Sequence, residues 1–327
     1  MLKPVVSVVV TVFNLREWIG DALASVLKQT CGARSMELIV VDDGSTDDSA
    51  SIIEPILQAA PIKQALFQVH NGGPSRARNI GCQRATGEWV QILDGDDLLH
   101  ERKIEIQLAA SRRLGPETAV IYSDWCRLRW QGQEWVADSG AGAPRIGIDP
   151  LADLLRTENF IPTGSQLFRR SWLERVGGFD ERYRLIEDGD LLMRVAMGGG
   201  GFHRVASPEP LFFYRQREGS LSRSVSREFI EGCIRNASMA EAYWRGKNSL
   251  TADRADLVAS IYFQAARYFA SRDKNRFDAI VDQIGNLSPR VIPQGPRHLK
   301  YASRIVGYRR AERLAVLYRR IKALAAV

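Results

Sequence analysis

The residues in this chain whose types and spacing carry chemistry are mostly carboxylates. An apolar run at 88–93 ends in Asp94-Gly95-Asp96-Asp97. Three carboxylates at one strand end repel one another and lose hydration unless a cation neutralises them. Mg²⁺ or Mn²⁺ takes such hard oxygen ligands and commonly shares them with substrate phosphates. Gly95 has no Cβ to hold a phosphate away from the backbone. The competing reading is a solvated turn in which Asp97 caps the next helix. A second apolar run, 37–41, ends in Asp42-Asp43-Gly44-Ser45. There an aspartate either accepts hydrogen bonds from a base or ribose, or caps a helix. Glu187-Asp188-Gly189-Asp190 precedes the helical Leu191-Leu192-Met193-Arg194. A helix N-terminus favours an ionised carboxylate, and an ionised carboxylate can act as general base toward a hydroxyl. Plain capping is the alternative. Gly72-Gly73-Pro74-Ser75-Arg76-Ala77-Arg78-Asn79 places glycines and two arginines at a helix start, which suits phosphate or nucleotide binding. No Gly-Lys-Ser/Thr follows, so this is not a Walker loop.

The elements that must position these groups alternate regularly. Residues 5–10 form a β-branched run that reads as a strand buried on both faces. A helical pattern follows at 17–28, a strand at 37–41, a capped helix to about 59, a strand at 66–69, a helix at 75–84 and a strand at 88–93. Four strand–helix alternations imply a parallel sheet covered by helices, with ligands at the carboxyl ends of the strands. Further strands are expected at 120–122, 166–169 and 211–214, and short helices at 150–156 and 190–197. Gly198 to Gly201 read as a flexible break. Beyond Arg227 strand signals disappear, and 257–269 and 299–324 have helical periodicity. A boundary near 226 gives a domain at 1–225 and a basic α-helical region at 226–327.

The 327 residues carry 45 Lys+Arg against 38 Asp+Glu. The excess is concentrated at the end of the chain: from Glu231 onward there are 18 basic and 8 acidic residues. A basic tail points to a polyanionic surface such as anionic lipid. In it Arg304, Arg309, Arg310, Arg313, Arg319, Arg320 and Lys322 interleave with Ile305, Leu314, Leu317, Ile321 and Leu324. That pattern fits an interfacial membrane helix, a solvated face over a helical core, or a dimer contact. No recognition motif accompanies the charge, so nucleic acid is not an expected partner. The four cysteines, 31, 82, 126 and 233, lack Cys-x-x-Cys or His spacing and read as reduced thiols. No signal peptide or run of about 20 apolar residues is seen. The expectation is a cytoplasmic protein, with peripheral contact on the inner face of the cell membrane.

Taken together these segments resemble the family-two inverting nucleotide-sugar glycosyltransferases of the GT-A fold. The resemblance runs over about 4–224, through Ser7 to Asn14, Val41 to Asp47, Gly73 to Gly81, Ala85 to Val90, Asp94 to Asp97, Phe168-Arg169-Arg170, Gly177 to Glu181, Glu187-Asp188 and Tyr214-Arg215. It implies an α/β fold: a Rossmann-like, mostly parallel sheet flanked by helices, with a C-terminal helical extension. It implies transfer of a sugar from a nucleoside-diphosphate sugar, a UDP-sugar, to a hydroxyl of a glycan or lipid-linked acceptor in bacterial surface polysaccharide synthesis. By position, Thr11, Phe13, Asn14 and Asp43 line the base and ribose pocket. Arg78, Asn79 and Gly95 lie near the nucleotide. Asp94 and Asp96 match the Asp-x-Asp pair, and Asp96 is the direct ligand of Mn²⁺ or Mg²⁺. Asp188 is the general base, and Gly164, Ser165 and Glu187 lie on the acceptor side. One position departs from the pattern. Relatives often carry a histidine before Gly-Ser, whereas this chain runs Arg217-Glu218-Gly219-Ser220; Arg217 is expected to meet the diphosphate as a cation. Two rivals stay open. A sugar-phosphate nucleotidyltransferase would need a Gly-rich N-terminal loop with Arg and Lys, unlike Thr11-Val12-Phe13-Asn14. A catalytically inactive carbohydrate-binding relative would not need intact Asp96 and Asp188.

Overall fold

β1 (Val6–Val12) is buried along its whole length because it has a core on each side. Val6, Val8, Val10 and Val12 point into one apolar cluster and Val9 into the other, the period-2 alternation of a strand with both faces covered. The structure, a computed structural model, describes residues 4–138, 140, 142–217, 225–287 and 296–324. Two units divide the chain, Met1–Ser224 and Val225–Val327.

In the first unit β1 is followed by α1 (Ile19–Leu27), β2 (Met36–Asp42), α2 (Ser49–Ala59), β3 (Lys63–Gln68), α3 (Pro74–Arg84) and β4 (Trp89–Asp94). Then come β5 (Leu98–Leu99), α4 (Lys103–Ser111), β6 (Thr118–Ser123), β7 (Trp125–Trp130), β8 (Trp135–Ala137) and α5 (Pro150–Leu154). β9 (Gln166–Arg169), α6 (Arg170–Val176), α7 (Glu187–Met197), β10 (Gly201–Val205) and β11 (Phe212–Gln216) complete it. Among the described residues the main sheet has the order β10-β6-β9-β4-β1-β2-β3. It is parallel except at β9, which runs antiparallel to β4 and β6. A smaller sheet, β5-β11-β7-β8, stands beside it. α1, α2 and α4 cover one face with Ile19, Leu23, Val26, Ile53, Leu57 and Ile104. α3, α6 and α7 cover the other with Ala77, Trp172, Leu173, Leu191, Leu192 and Val195.

The first hundred residues fold as their periodicity implies. Later elements depart from it. α4, the β7–β8 hairpin and β5 were not expected. α7 begins at Glu187 rather than 190, so Glu187 and Asp188 lie inside its first turn. Gly198 to Gly201 are not a loose break: Gly200 N–H donates to Val195 O at 2.9 Å, and Gly201 opens β10. The second unit is helical: α8 (Arg227–Gly246), α9 (Ala252–Phe269), α10 (Lys274–Leu287), α11 (Arg297–Val306) and α12 (Tyr308–Leu324). α8 and α10 were not anticipated, and the helix expected over 299–324 is broken at Gly307, where φ is 76°. No helix among the described residues is long and apolar enough to cross a membrane.

A buried carboxylate ties the start of the sheet together. Glu37 on β2 accepts from Ser7 Oγ at 2.6 Å, Thr86 N at 2.7 Å, Thr86 Oγ1 at 2.8 Å and Lys63 Nζ at 2.6 Å. Burial works to raise its pKa, but these donors together bring it from 4.5 to about 2. A depressed carboxylate pKa stabilises the fold above the unfolded value, and that stabilisation is lost as pH falls through the window from 4.5 to about 2. Glu37→Gln is expected to cost about 1–3 kcal/mol at neutral pH by leaving buried donors poorly matched. The gap from the native chain should narrow in that acidic window. Thermal unfolding across pH reads this out, and equal midpoints at neutral pH would discard the assignment.

Candidate active site

The chain reverses its winding at β1: β2 and β3 lie on one side and β4 on the other. In an open α/β sheet this switch point leaves a crevice at the carboxyl ends of the strands. The two aspartate clusters, from β2 and β4, both arrive there. The turn after β4 is locked to β1, since Gly95 N–H donates to Thr11 O at 2.9 Å. A Cβ on Gly95 would lie 2.9 Å from that oxygen and 3.0 Å from Leu15 Cδ1. Close backbone approach to β1 therefore accounts for the glycine here, without invoking a phosphate.

Arg78 on α3 is the hub of the site. Its side chain is 6% exposed. Nη2 donates to both oxygens of Asp94 at 2.9 Å, Nε donates to Asp94 Oδ1 at 3.2 Å, and Nη1 donates to Glu187 Oε1 at 2.6 Å. Thr11 Oγ1 donates to Asp94 Oδ1 at 3.1 Å. Arg78 thus joins the end of β4 to the start of α7 and stacks over Phe179, 5.3 Å from the ring centre. Asp94 and Asp96 hold different cations, for Arg217 Nε donates to Asp96 Oδ2 at 2.7 Å. Asp97 Oδ1 accepts the backbone N–H of Arg215 at 2.9 Å. Helix capping by Asp97, the alternative reading, does not occur: α4 starts at Lys103 with Arg102 before it.

Burial, and then Asp94, raise the pKa of Asp96, with Arg217 opposing. Burial, Asp96 and Asp94 push Asp97 well above the usual range. Asp188 is pushed up to about 7, first by burial and then by Glu187, with Gly189 N–H and Arg78 pulling the other way. Its Oδ1 accepts from Gly189 N–H at 2.7 Å. Just before it, Ile186 sits at φ 64°, ψ 17°. That is a strained conformation for a β-branched residue.

The remaining expected residues separate into two groups. Phe13 is exposed at the end of β1, and Asn14 next to it adopts φ 53°. Asn14 Oδ1 accepts from Thr46 N at 2.8 Å and its N–H donates to Ser45 Oγ at 2.9 Å, joining the ends of β1 and β2 into one rim. Asp43 is buried, and its two oxygens accept Gly72 N–H and Gly73 N–H, each at 2.8 Å. The glycine-rich start of α3 was expected to receive a phosphate; these two N–H groups instead receive the chain's own Asp43 carboxylate. Asn79 spends its amide on the fold, donating to Phe179 O at 2.8 Å and Glu181 Oε1 at 2.9 Å and accepting from Phe179 N at 2.8 Å. Gly164 and Ser165 are buried in a short 3₁₀ turn. Ser165 Oγ donates to Pro162 O at 2.8 Å, and a Cβ on Gly164 would meet the Phe212 ring at 2.1 Å. Neither residue is exposed to solvent.

One brace was not legible beforehand. The Arg215 side chain is buried between Trp18 and Trp135, 5.5 and 5.4 Å from the ring centres, and Nη2 donates to Asp21 Oδ2 at 2.6 Å. It holds β11, and hence Arg217, against α1.

With the geometry in hand, comparison with known proteins is decisive at the family level. The model of the family described as Glycosyl transferase family 2 matches residues 7–177. The chain belongs to glycosyl transferase family 2. Among its relatives is the succinoglycan biosynthesis protein ExoO of Rhizobium meliloti (strain 1021), 29% identical over 236 residues, which are 71% of this chain and 66% of ExoO. Another is the glycosyltransferase GlyG of Streptococcus pneumoniae serotype 4, 36% identical over 104 residues, 32% of this chain and 34% of GlyG. The chain thus spans about a third to two thirds of these relatives. Its fold is that of S. aureus TarS 1-349, solved with UDP-GlcNAc: TM-score 0.66 at 20% identity, covering 94% of this chain and 90% of that one. The mannosyltransferase PcManGT of Pyrobaculum calidifontis, solved with GDP-Man and Mn²⁺, superposes with TM-score 0.55 at 17% identity over 97% of this chain and 88% of that one. This family 2 chain has a GT-A sheet.

Arg78 carries the sharpest prediction about the site's architecture. Arg78→Met leaves two largely buried carboxylates without their cation, a loss of about 3–5 kcal/mol. Arg78→Lys keeps the charge but cannot fork between Asp94 and Glu187, so it is expected to fall between Met and the native chain. Chemical denaturation of both variants measures this. A Lys variant as stable as native would show that the fork is dispensable.

Proposed function

We propose that this chain is a metal-dependent, inverting glycosyltransferase that moves a sugar from a UDP-sugar to a hydroxyl of a glycan or lipid-linked acceptor in bacterial surface polysaccharide synthesis. The observation that carries the reading is the Asp188 carboxylate, raised to about 7 beside a pair of aspartates that already hold cations. A group titrating near neutrality is suited to accept a hydroxyl proton and release it again. The nucleotide sugars bound by TarS and PcManGT support a nucleoside-diphosphate donor here, and the role of ExoO supports a polysaccharide product.

The donor set fits a divalent cation on its chemistry. Asp94, Asp96 and Asp97 crowd one turn; burial and Asp94 push Asp96 toward protonation, and burial, Asp96 and Asp94 push Asp97 the same way. Such crowding is relieved by added positive charge. Among the described residues no three His, Cys, Asp or Glu side chains form a closed metal cage. Two carboxylates completed by phosphate oxygens and water are a common arrangement for Mg²⁺. Asp96 and Asp94 would hold the ion, which when bound supplies charge neutralisation for a departing diphosphate.

The chain's own groups do the rest. The rim made by Thr11, Phe13, Asn14 and Asp43 receives base and ribose. Asp188 takes the proton from the acceptor hydroxyl. The acceptor oxygen bonds to the anomeric carbon as the bond to the diphosphate oxygen breaks, which inverts that carbon. Arg217, a cation within reach of Asp96, stabilises the negative charge gathering on the leaving group. Glu187, engaged by Arg78, keeps the base on the acceptor side.

Asp188→Asn is expected to lower kcat about 10²–10⁴-fold while donor affinity stays within about twofold. Because the base works ionised, kcat/KM of the native enzyme should rise with pH below about 7 and level off above it. The asparagine variant should lose that limb. A native-like rate in this variant, with the limb intact, removes Asp188 from the role. Arg217→Ala should weaken binding of the free nucleoside diphosphate, measured calorimetrically with Mn²⁺ present; unchanged affinity and turnover would exclude Arg217 from contact with the diphosphate.

A further inference from the structure

α12 has two faces of opposite character. Its inner face is anchored: Tyr308 packs edge-on against Phe263 with ring centres 4.7 Å apart, Ala311 is buried, and Arg313 Nη2 donates to Asp278 on α10 at 2.8 Å. Arg309 also pairs with Asp278 and Asp282. The outer face carries Leu314, Leu317, Tyr318 and Ile321, each more than half exposed. Their spacing, i, i+3, i+4 and i+7, lines them up along one stripe. α11 adds Tyr301 and Ile305, and Ile305 is 81% exposed. These two helices hold nearly half of the large apolar side chains that are exposed in the whole described chain, six of the 13, before Val306 is counted. Contiguous exposure of this kind marks a surface that is covered in use.

The charge on the same segment indicates what covers it. Residues 297–324 contain nine Lys and Arg and a single acid, Glu312. Glu312 is fully buried and pairs with Arg319 at 2.6 Å. Within α11 and α12 no acidic side chain is exposed, while Arg304, Arg310 and Lys322 are; the nearest acids, Asp278 and Asp282 on α10, are engaged by Arg309 and Arg313 on the inner face. A second copy of this helix would bring like charge to that border. A leaflet of anionic lipid supplies an apolar layer for the stripe and, just above it, phosphates for the cations.

We propose that α11 and α12 form an interfacial docking surface for an anionic bilayer, with Leu314, Leu317, Tyr318 and Ile321 entering the headgroup–acyl boundary and the flanking Arg and Lys on lipid phosphates. The helices lie on the membrane and do not cross it. The proposal uses only the second unit and does not depend on the donor, base or metal assignments.

The test is co-sedimentation of the full chain with phosphatidylcholine vesicles, with and without phosphatidylglycerol. Binding to the anionic vesicles is expected to exceed binding to the neutral ones at least tenfold and to weaken in high salt. The double variant Leu317→Glu/Ile321→Glu should lose at least tenfold in vesicle affinity. Because both positions face outward, it should keep the native thermal midpoint and donor binding. Arg310→Gln/Lys322→Gln should reduce binding to anionic vesicles only. A native chain that stays in the supernatant with anionic vesicles overturns the proposal. So does a dimer, seen by light scattering, that the glutamate variant dissolves while vesicle binding is unchanged; the stripe would then belong to a second copy.

Discussion

The site depends on one buried guanidinium. Arg78 grips Asp94 from β4 and Glu187 from α7, residues 93 positions apart in the chain and in different halves of the first unit. A fork with several fixed donors can satisfy two carboxylates at once, which a single ammonium cannot. Desolvation works against the charged form of Arg78, but Asp94 and then Glu187 more than offset it and hold the group charged. A buried ion pair of this kind is a weak source of net stability but a strong constraint on geometry. The turn that carries Asp96 and the helix that carries Asp188 are thereby set relative to each other before any substrate arrives.

Around that hub the charges are arranged in pairs. Asp94 has Arg78, Asp96 has Arg217, and Asp97 has the Arg215 backbone, whose side chain is itself clamped by Asp21 and two tryptophans. Burial first, and then a surplus of neighbouring carboxylates, pushes Asp96, Asp97 and Asp188 upward. A surplus of this sign is costly in an empty enzyme and useful in a loaded one. Added positive charge relieves it. Arg217 supplies the guanidinium that meets Asp96.

What could be read in the sequence was local. The four strand–helix alternations follow from period-2 and period-3.6 patterns within single windows, and the paired aspartates stand at strand ends that those patterns define. The long-range part could not be read that way. Arg215 meets Asp21 across 194 positions, and Asp43 closes on Gly72 and Gly73 across about 30. Nothing within either segment announces the partner. β9 enters the sheet antiparallel between β4 and β6, although its own four residues look like any buried strand. α8 gives a weak signal in any one window because its buried face mixes Ile230, Ile234 and Trp244 with Gly232, Asn236, Ala237 and Ala240. Roles assigned by resemblance were likewise silent on how Asn79 and Asp43 spend their polar atoms on the fold.

The pairing of Glu187 and Asp188 explains how one helix turn makes a clamp and a base from adjacent carboxylates. Neighbours in a helix do not share a face. Once Arg78 draws Glu187 toward itself, Asp188 must point elsewhere, and among the described residues its carboxylate accepts only from Gly189 N–H. It is left half-buried without a guanidinium of its own, and desolvation then dominates its pKa. Ile186 fixes the register of that turn. Its left-handed backbone, held at a cost of about 1–3 kcal/mol, brings the chain into α7 at Glu187 instead of at the next polar residue. The left-handed Ile186 and the Arg78–Glu187 pair thus meet at the same helix start, and they leave Asp188 to burial and to the charge of Glu187, which push its pKa up.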